Sequence, residues 1–301
     1  MQTITEENIT DLAAARWATA HNPRLAQLMA EMVRYLHDFA RTVGLTEPEW
    51  AAAVQWLRRA GQISDDKRDE FILASDVLGL SMLLVEMNHR LAAGATPATV
   101  LGPFHVDGSP ALDFGADMSE GVQGAPLFIV GSVRDVDGTA IGGAVLDVWQ
   151  ADADGAYEAQ LQVDEARLRG KYASMSDGAY CVRTIAPLGY SIPMDGPVGE
   201  LIARTEISHY RPAHIHFLID VPGYEPLITH LFERGTQYLD SDVVFGAKAE
   251  LVVEFEHREP GPTPDGGTCE VPWQMARFDF VLQPENCPPH LPSSHQLLLN
   301  K

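Results

Sequence analysis

Between residues 92 and 125 the hydrophobic period of this chain changes from three-to-four to two, and that change limits its fold more than any other feature. Upstream, from Thr5 to about Leu91, apolar residues recur at helical steps. Leu25, Leu28, Met32, Leu36 and Phe39 form one stripe on a helix that Pro23 opens. Thr46 and Glu49 make a capping box, with Pro48 in the first turn, and Trp50, Val54 and Leu57 continue a buried face. Ser64-Asp65-Asp66 opens a third helix whose run from Phe71 to Leu91 is apolar nearly all round, as in a helix buried between domains or subunits. Downstream, Leu127–Val133, Ala144–Trp149, Tyr180–Ile185, His214–Ile219, Leu227–Phe232 and Ala249–Phe255 read as short strands, with Asp-Gly turns at Asp137-Gly138 and Asp177-Gly178. The expectation is an α+β chain: a helical domain over residues 1–100 that forms a dimer, then an antiparallel β-sandwich over 101–301. Pro260, Pro262, Pro264, Pro284, Pro288, Pro289 and Pro292 predict an irregular wrap around that sandwich.

Composition removes several partners. The net charge of −21 over 301 residues repels polyanions, which argues against nucleic acid and anionic membrane surfaces. Cys181, Cys269 and Cys287 are an odd number without zinc-like spacing, fitting a reducing compartment. The start MQTITEENIT has no basic stretch before an apolar core, and the window near Leu78–Met87 is too short to span a bilayer. A cytoplasmic protein is expected.

Within the β region, Arg211-Pro212-Ala213-His214-Ile215-His216-Phe217-Leu218-Ile219 carries two imidazoles at alternate positions. On a strand both face one side, with Cα atoms about 6.6 Å apart, and Ile215 points to the other. Pro212 suits a strand start. Alone, the pattern describes two half-buried histidines as readily as a metal site. Tyr157 follows the turn Asp152-Ala153-Asp154-Gly155-Ala156, and Tyr190 sits in the stiff loop Pro187-Leu188-Gly189-Tyr190-Ser191-Ile192-Pro193. Either tyrosine alone could be a packed phenol with a backbone partner. Together with the histidines they form a Tyr2His2 set. A phenol with a reference pKa near 10 becomes a ligand at neutral pH only beside a strongly Lewis-acidic cation, and ferric iron is the natural candidate. Zinc prefers Cys, His and carboxylate, and ferrous oxygenase sites use two histidines and a carboxylate.

Val148-Trp149-Gln150-Ala151-Asp152 leading to Gly155-Ala156-Tyr157, then Pro187-Leu188-Gly189-Tyr190 with Asp195-Gly196-Pro197, then Arg211 to His216, resemble the successive motifs of the intradiol ring-cleavage dioxygenases. The resemblance runs from the helices to about Glu256. It implies that Tyr157, Tyr190, His214 and His216 bind a non-haem Fe(III), with Tyr157 equatorial and Tyr190 the axial phenolate that leaves when substrate chelates. It implies that residues 1–100 are the dimer-forming linker domain, often holding a lipid, and that 101–301 are catalytic. Arg211, Tyr190 and His230 would act in catalysis. By family position Leu73, Asp76, Val100, Gly102, Pro103, Phe104, Ile192, Pro193, Arg211 and Val244 would line the substrate pocket. Phe104 and His105 otherwise read as a packing aromatic and a loop histidine.

His230 is a departure, since many catechol-cleaving members carry Gln there. With the Tyr190–Pro193 loop and the run from Tyr238 to Gly246, it makes the chain more similar to the hydroxyquinol-cleaving branch. His230 could equally be a core histidine. Asp76, in the apolar run from Phe71 to Leu78, is costly to bury unmatched. The third hydroxyl of hydroxyquinol would meet it; facing solvent or capping a turn is the alternative. The implied reaction joins hydroxyquinol (1,2,4-trihydroxybenzene) and O2 into 3-hydroxy-cis,cis-muconate, which tautomerises to maleylacetate. Cleavage of catechol or chlorocatechol is the nearest alternative. A transthyretin-like β-sandwich that only binds ligands is a third reading, and a zinc hydrolase on His214 and His216 lacks a third ligand and a general base.

Overall fold

A computed structural model of the chain describes residues 3–65, 68–89, 92–158 and 166–285. The chain forms two compact units, Met1–Arg59 and Ala60–Lys301. The first holds α1 (Ile9–Trp17), α2 (Pro23–Val43) and most of α3 (Glu47–Ile63). Asn22 caps α2 by accepting from Leu25 N, Pro23 takes the first turn, and Gly44 closes the helix with φ +62. The expected box at α3 is present: Glu49 Oε2 accepts from Thr46 N and Oγ1. α1 is tied to α2 through Thr10 and His37, and through Arg41 to Glu6 O and Thr10 Oγ1.

The stripe on α2 is not a buried face. Leu25, Leu28, Met32, Leu36 and Phe39, with Trp50 and Leu57 on α3, are 45–59% exposed. The periodicity located the apolar face, but nothing in the described chain covers it. The Phe71–Leu91 reading also needs correction. That run is two helices, α4 (Glu70–Val77) and α5 (Leu80–Asn88), broken where Gly79 adopts φ +72. Asp69, not Ser64-Asp65-Asp66, caps α4, accepting from Phe71 N and Ile72 N. Leu73, Asp76 and Met82 are buried, whereas Phe71, Ile72, Leu78, Leu83 and Leu84 stay exposed. Asp66 and Leu91 lie outside the described residues.

In chain order the strands are β1 (Pro126–Asp135), β2 (Val145–Gln150), β3 (Arg169–Ala173), β4 (Ala179–Ile185), β5 (Tyr190–Ser191), β6 (Tyr210–Arg211), β7 (His214–Asp220), β8 (Leu227–Glu233), β9 (Val252–Val253), β10 (Glu256–Arg258), β11 (Gly261–Pro262), β12 (Thr268–Cys269), β13 (Trp273–Arg277) and β14 (Phe280–Leu282), with α6 (Pro197–Ile202) between β5 and β6. One sheet runs β3-β2-β7-β8-β9; the other is built on β1, flanked by β4 and by β13 and β14. Inward residues of both meet in one cluster: Leu127 and Ile129 from β1, Leu146 and Val148 from β2, Val182 from β4, and Ile215, Phe217 and Ile219 from β7. Ile215 thus points into the sandwich and leaves its two histidine neighbours on the outer face.

The sheets are mixed rather than purely antiparallel. β13 and β14 run parallel to β1, and β9 parallel to β8. The chain passes from β13 to β14 along one edge of β1 by kinking at Phe278 and Asp279. Phe278 N donates to Val130 O, and Asp279 Oδ1 accepts from Ser132 N and Oγ. Gly131 admits this approach, because a Cβ there would stand 1.7 Å from Phe278 O. The predicted strand Ala249–Phe255 shrinks to a 3-10 turn and the two residues of β9. The region around Pro260, Pro262 and Pro264, expected as irregular wrap, instead contributes β10 to β13. Cys287, Pro288, Pro289 and Pro292 lie outside the described residues. Among the described residues no helix is long and apolar enough to cross a membrane.

Candidate active site

The outer face of the β3-β2-β7-β8 sheet carries the polar cluster. Register puts Trp149 of β2 beside His216 of β7, and His216 beside His230 of β8. The turn after β2 delivers Tyr157: Asp152 Oδ1 accepts from Asp154 N and Ala156 N, and Gly155 at φ +83 reverses the chain. A side chain at Gly155 would stand 2.7 Å from Tyr190 Cβ, so glycine lets the two tyrosine-bearing segments close on each other. Tyr190 is fixed by pairing β5 to β6, opposite Arg211. Tyr157, Tyr190, His214 and His216 are all buried, and the Tyr190 ring lies 5.3 Å from Tyr157 and 5.6 Å from His214.

Three donor atoms converge. Tyr157 Oη is 3.3 Å from His214 Nε2 and 3.0 Å from His216 Nε2, and the two Nε2 atoms are 3.2 Å apart. Donors each about 2.1 Å from a common ion stand roughly 3.0–3.4 Å apart, so the triangle has the dimensions of a coordination sphere. The ring of His214 is oriented for it. Its Nδ1 lies 2.7 Å from Pro212 O, which can only accept, so the proton is on Nδ1 and Nε2 keeps its lone pair. Burial, and then the charge of Arg211, bring the His214 pKa down to about 3, which holds the ring neutral. Burial pushes the Tyr157 phenol well above its ordinary value, with Tyr190 adding to the effect, so a phenolate here needs a cation beside it. Among the described residues no three His, Cys, Asp or Glu side chains could hold a metal ion. The triangle is made of two imidazoles and a phenol oxygen, a donor set that would suit a hard trivalent ion such as Fe(III) better than the usual zinc or ferrous sets.

Arg211 is buried beside this triangle. Nη1 donates to His214 Nε2 at 3.0 Å, Nε donates to Asp242 Oδ1 at 3.1 Å, and Nη2 is 3.4 Å from His230 Nδ1. Burial opposes its charge, but Asp242 and the nearby phenols raise its pKa above the ordinary value. Asp242 also receives Gly246 N and Ala247 N, and Arg211 holds its carboxyl below the ordinary range although burial works the other way. His230 is fully buried against His216, with ring centroids 4.1 Å apart. It is not part of the donor triangle.

Leu73, Asp76, Val100, Gly102, Pro103, Phe104, Ile192, Pro193, Arg211 and Val244 line a single cavity of about 420 Å³, together with Tyr190. Phe104 stacks on Tyr157 at 4.6 Å. Asp76 is 4% exposed, and burial raises its carboxyl pKa despite a hydrogen bond from Ser81 and the charge of Arg211. Sequence reasoning missed several neighbours. Arg68, at the cavity mouth, joins buried Glu70 to Asp195, and Glu70 Oε1 also accepts from Val198 N. Trp149 and Asp242 carry no assigned role in the sequence motifs that contain them. Trp149 could have been placed beside the histidines by the same alternation that placed them. The links to Asp195 and Asp242 join residues far apart in sequence and leave no local signal.

Comparison with known proteins adds the relatives. The family model described as Dioxygenase matches residues 101–284, and one described as Catechol dioxygenase N terminus matches residues 22–96. The chain is 47% identical to a 6-chlorohydroxyquinol 1,2-dioxygenase of Cupriavidus pinatubonensis, over 94% of this chain and 99% of that protein. It is 42% identical to a hydroxyquinol 1,2-dioxygenase of Nocardioides simplex, over 94% of this chain and 97% of the relative. Among solved structures, the hydroxyquinol 1,2-dioxygenase of Pseudomonas putida DLL-E4 superposes with a TM-score of 0.86 at 44% identity, covering 93% of this chain and 99% of the other.

Proposed function

The chain belongs to the intradiol ring-cleavage dioxygenase family, and on that premise we propose that it opens hydroxyquinol with O2 to 3-hydroxy-cis,cis-muconate, the tautomer of maleylacetate, using one ferric ion held by Tyr157, Tyr190, His214 and His216. The observation that carries this reading is the 3.0–3.3 Å triangle of Tyr157, His214 and His216 beside a cavity walled by Tyr190 and Arg211. The similarity to relatives named for hydroxyquinols supports the substrate. Bound there, Fe(III) would supply the Lewis acidity that draws a deprotonated catechol unit into chelation and prepares its ring for dioxygen.

The protein's own residues set the rest. Leu73, Val100, Pro103, Phe104, Ile192 and Val244 give the cavity apolar walls suited to a flat aromatic ring. Tyr190 lines the cavity and, as a phenolate, would take the proton of an entering hydroxyl. Arg211 lines the same cavity with its guanidinium held by Asp242, so it can stabilise negative charge developing on the ring without reorganising. His230 bears on His216 and Arg211 together and keeps the ligand strand in register with the arginine.

Asp76 provides the substrate test. It is the buried carboxyl among the residues lining the cavity, where Asp65, Asp69 and Asp195 are exposed, and would receive the third hydroxyl of hydroxyquinol. A hydrogen bond of this kind is worth about 1.5–3 kcal/mol, so Asp76→Ala should lower kcat/KM for hydroxyquinol roughly 10- to 100-fold while catechol loses far less. Oxygen uptake with both substrates measures this. Equal losses would remove Asp76 from substrate choice, and a wild-type protein that cleaves neither phenol would sink the functional reading. The exposed stripe on α2 further supports assembly as a dimer through the helical unit, and the same apolar face would suit a lipid chain. Light scattering should give the mass of two chains; a monomer at micromolar concentration would oppose this.

A further inference from the structure

We infer that His105 is a positioning residue for His216, acting through the indole of Trp149; this rests on the reading of His216 as a ligand to ferric iron. The two ligand imidazoles are held by different means. His214 is fixed by the hydrogen bond from Nδ1 to Pro212 O, the usual way a ligating ring is oriented. Nδ1 of His216 is buried and finds no hydrogen-bond partner among the described residues. Packing holds that ring instead. Trp149 stacks on it with centroids 4.7 Å and planes 18° apart. Gly102 closes on its edge, where an added Cβ would stand 3.1 Å from Cε1.

Trp149 has no polar anchor either, because its Nε1 is buried and finds no partner among the described residues. His105 supplies the contact that sets the indole, meeting it edge-on at 4.7 Å and 68°. His105 is itself tethered to the sheet. Its Nε2 lies 3.4 Å from Oδ2 of Asp147, a buried carboxylate on the same face of β2 as Trp149 that also has Lys171 Nζ at 3.5 Å. Asp147, His105, Trp149 and His216 therefore form one continuous contact series from the edge of the outer face to the donor triangle. A ring that no hydrogen bond orients can tilt if its stack loosens, and tilting turns the Nε2 lone pair away from the point it shares with Tyr157 and His214. His105 keeps only 16% of its side chain exposed, yet it touches none of the proposed ligands. Its packing effect on the ligand ring passes through the indole, beside the direct electrostatic effect of His105 on His216.

The test uses the iron-loaded protein with His105→Ala, which removes the edge contact, and His105→Phe, which keeps a ring against Trp149 without the imidazole. Ferric iron lost to an excess of chelator is followed by the decay of visible absorption, beside the melting temperature of the iron-free protein. Outer partners of ligating histidines change metal affinity by about 10- to 100-fold. The alanine variant should lose iron faster by a factor in that range with a shifted absorption band, and phenylalanine should restore retention to within about threefold of wild type. Unchanged iron loss in the alanine variant overturns the inference, as does a phenylalanine variant that loses iron as fast as alanine. If alanine lowers the melting temperature, the phenylalanine comparison alone decides. A wild-type protein that takes up no ferric iron fails the reading of the site itself, a result distinct from unaltered retention in the variant.

Discussion

Replacing Tyr157 by Phe is expected to bleach the iron-loaded protein and to reduce ring cleavage by about a thousandfold or more. The substitution keeps the ring that Phe104 stacks on and removes only the oxygen that stands 3.0 Å from His216 Nε2 and 3.3 Å from His214 Nε2. What is lost is one anionic donor to a trivalent ion, and Lewis-acid stabilisation of this kind is worth several kcal/mol, each 1.36 kcal/mol being about tenfold in rate. Because a buried phenol here sits well above its ordinary pKa, the oxygen has no reason to ionise except for a metal. Iron content per chain and oxygen uptake check the prediction. A Tyr157→Phe protein that keeps its iron, colour and rate would show that the triangle is only a packed cluster.

Arg211→Ala is expected to cost both stability and rate. Arg211 and Asp242 form a buried ion pair, with side chains 4% and 2% exposed. Removing one partner leaves the other as an uncompensated buried charge, at a cost of about 3–5 kcal/mol. The pH dependence has a definite sign. In the wild type, Arg211 depresses the Asp242 carboxyl, so the stability it contributes is complete above the ordinary carboxylate range and is lost as pH falls through the lowered folded value. In the variant, burial acts on Asp242 without the arginine. Its carboxyl then favours protonation, and the variant should recover part of its deficit as the pH is lowered from neutral toward the carboxylate range. Thermal melts across that range read this directly. The rate should fall about 10²- to 10³-fold in the fraction that stays folded, as for other preorganised charge stabilisers. A variant as stable as wild type at neutral pH would mean that Asp242 finds full compensation from the backbone donors Val244 N, Gly246 N and Ala247 N.

The legible parts of the sequence were those set by local period. Alternation at His214, Ile215 and His216 put two imidazoles on one face and Ile215 on the other, which the sandwich makes its outer face and its core, and β1, β2, β4, β7 and β8 lie close to where their apolar runs predicted. The turns before Tyr157 and around Tyr190 were legible through Asp, Gly and Pro. Parallel pairing was not. β13 and β14 join β1 from about 140 residues away, and no hairpin turn announces a neighbour of that kind. The helical stripe was found but misread as buried, because periodicity reports which face is apolar and not what covers it. In the site, the long-range partners were the blind spot. Asp242 for Arg211, Asp195 for Arg68 and Asp147 for His105 are single contacts between distant segments, made only once the sheet and its loops have closed.

The most direct test of the central claim is the visible spectrum of the iron-reconstituted wild type, recorded anaerobically with and without hydroxyquinol and beside Tyr157→Phe. The account predicts a broad tyrosinate-to-Fe(III) band in the wild type that shifts when hydroxyquinol is added and is lost in the variant. A wild-type protein that stays colourless and iron-free after reconstitution would contradict it, and would leave a β-sandwich whose two histidines and two tyrosines merely pack together.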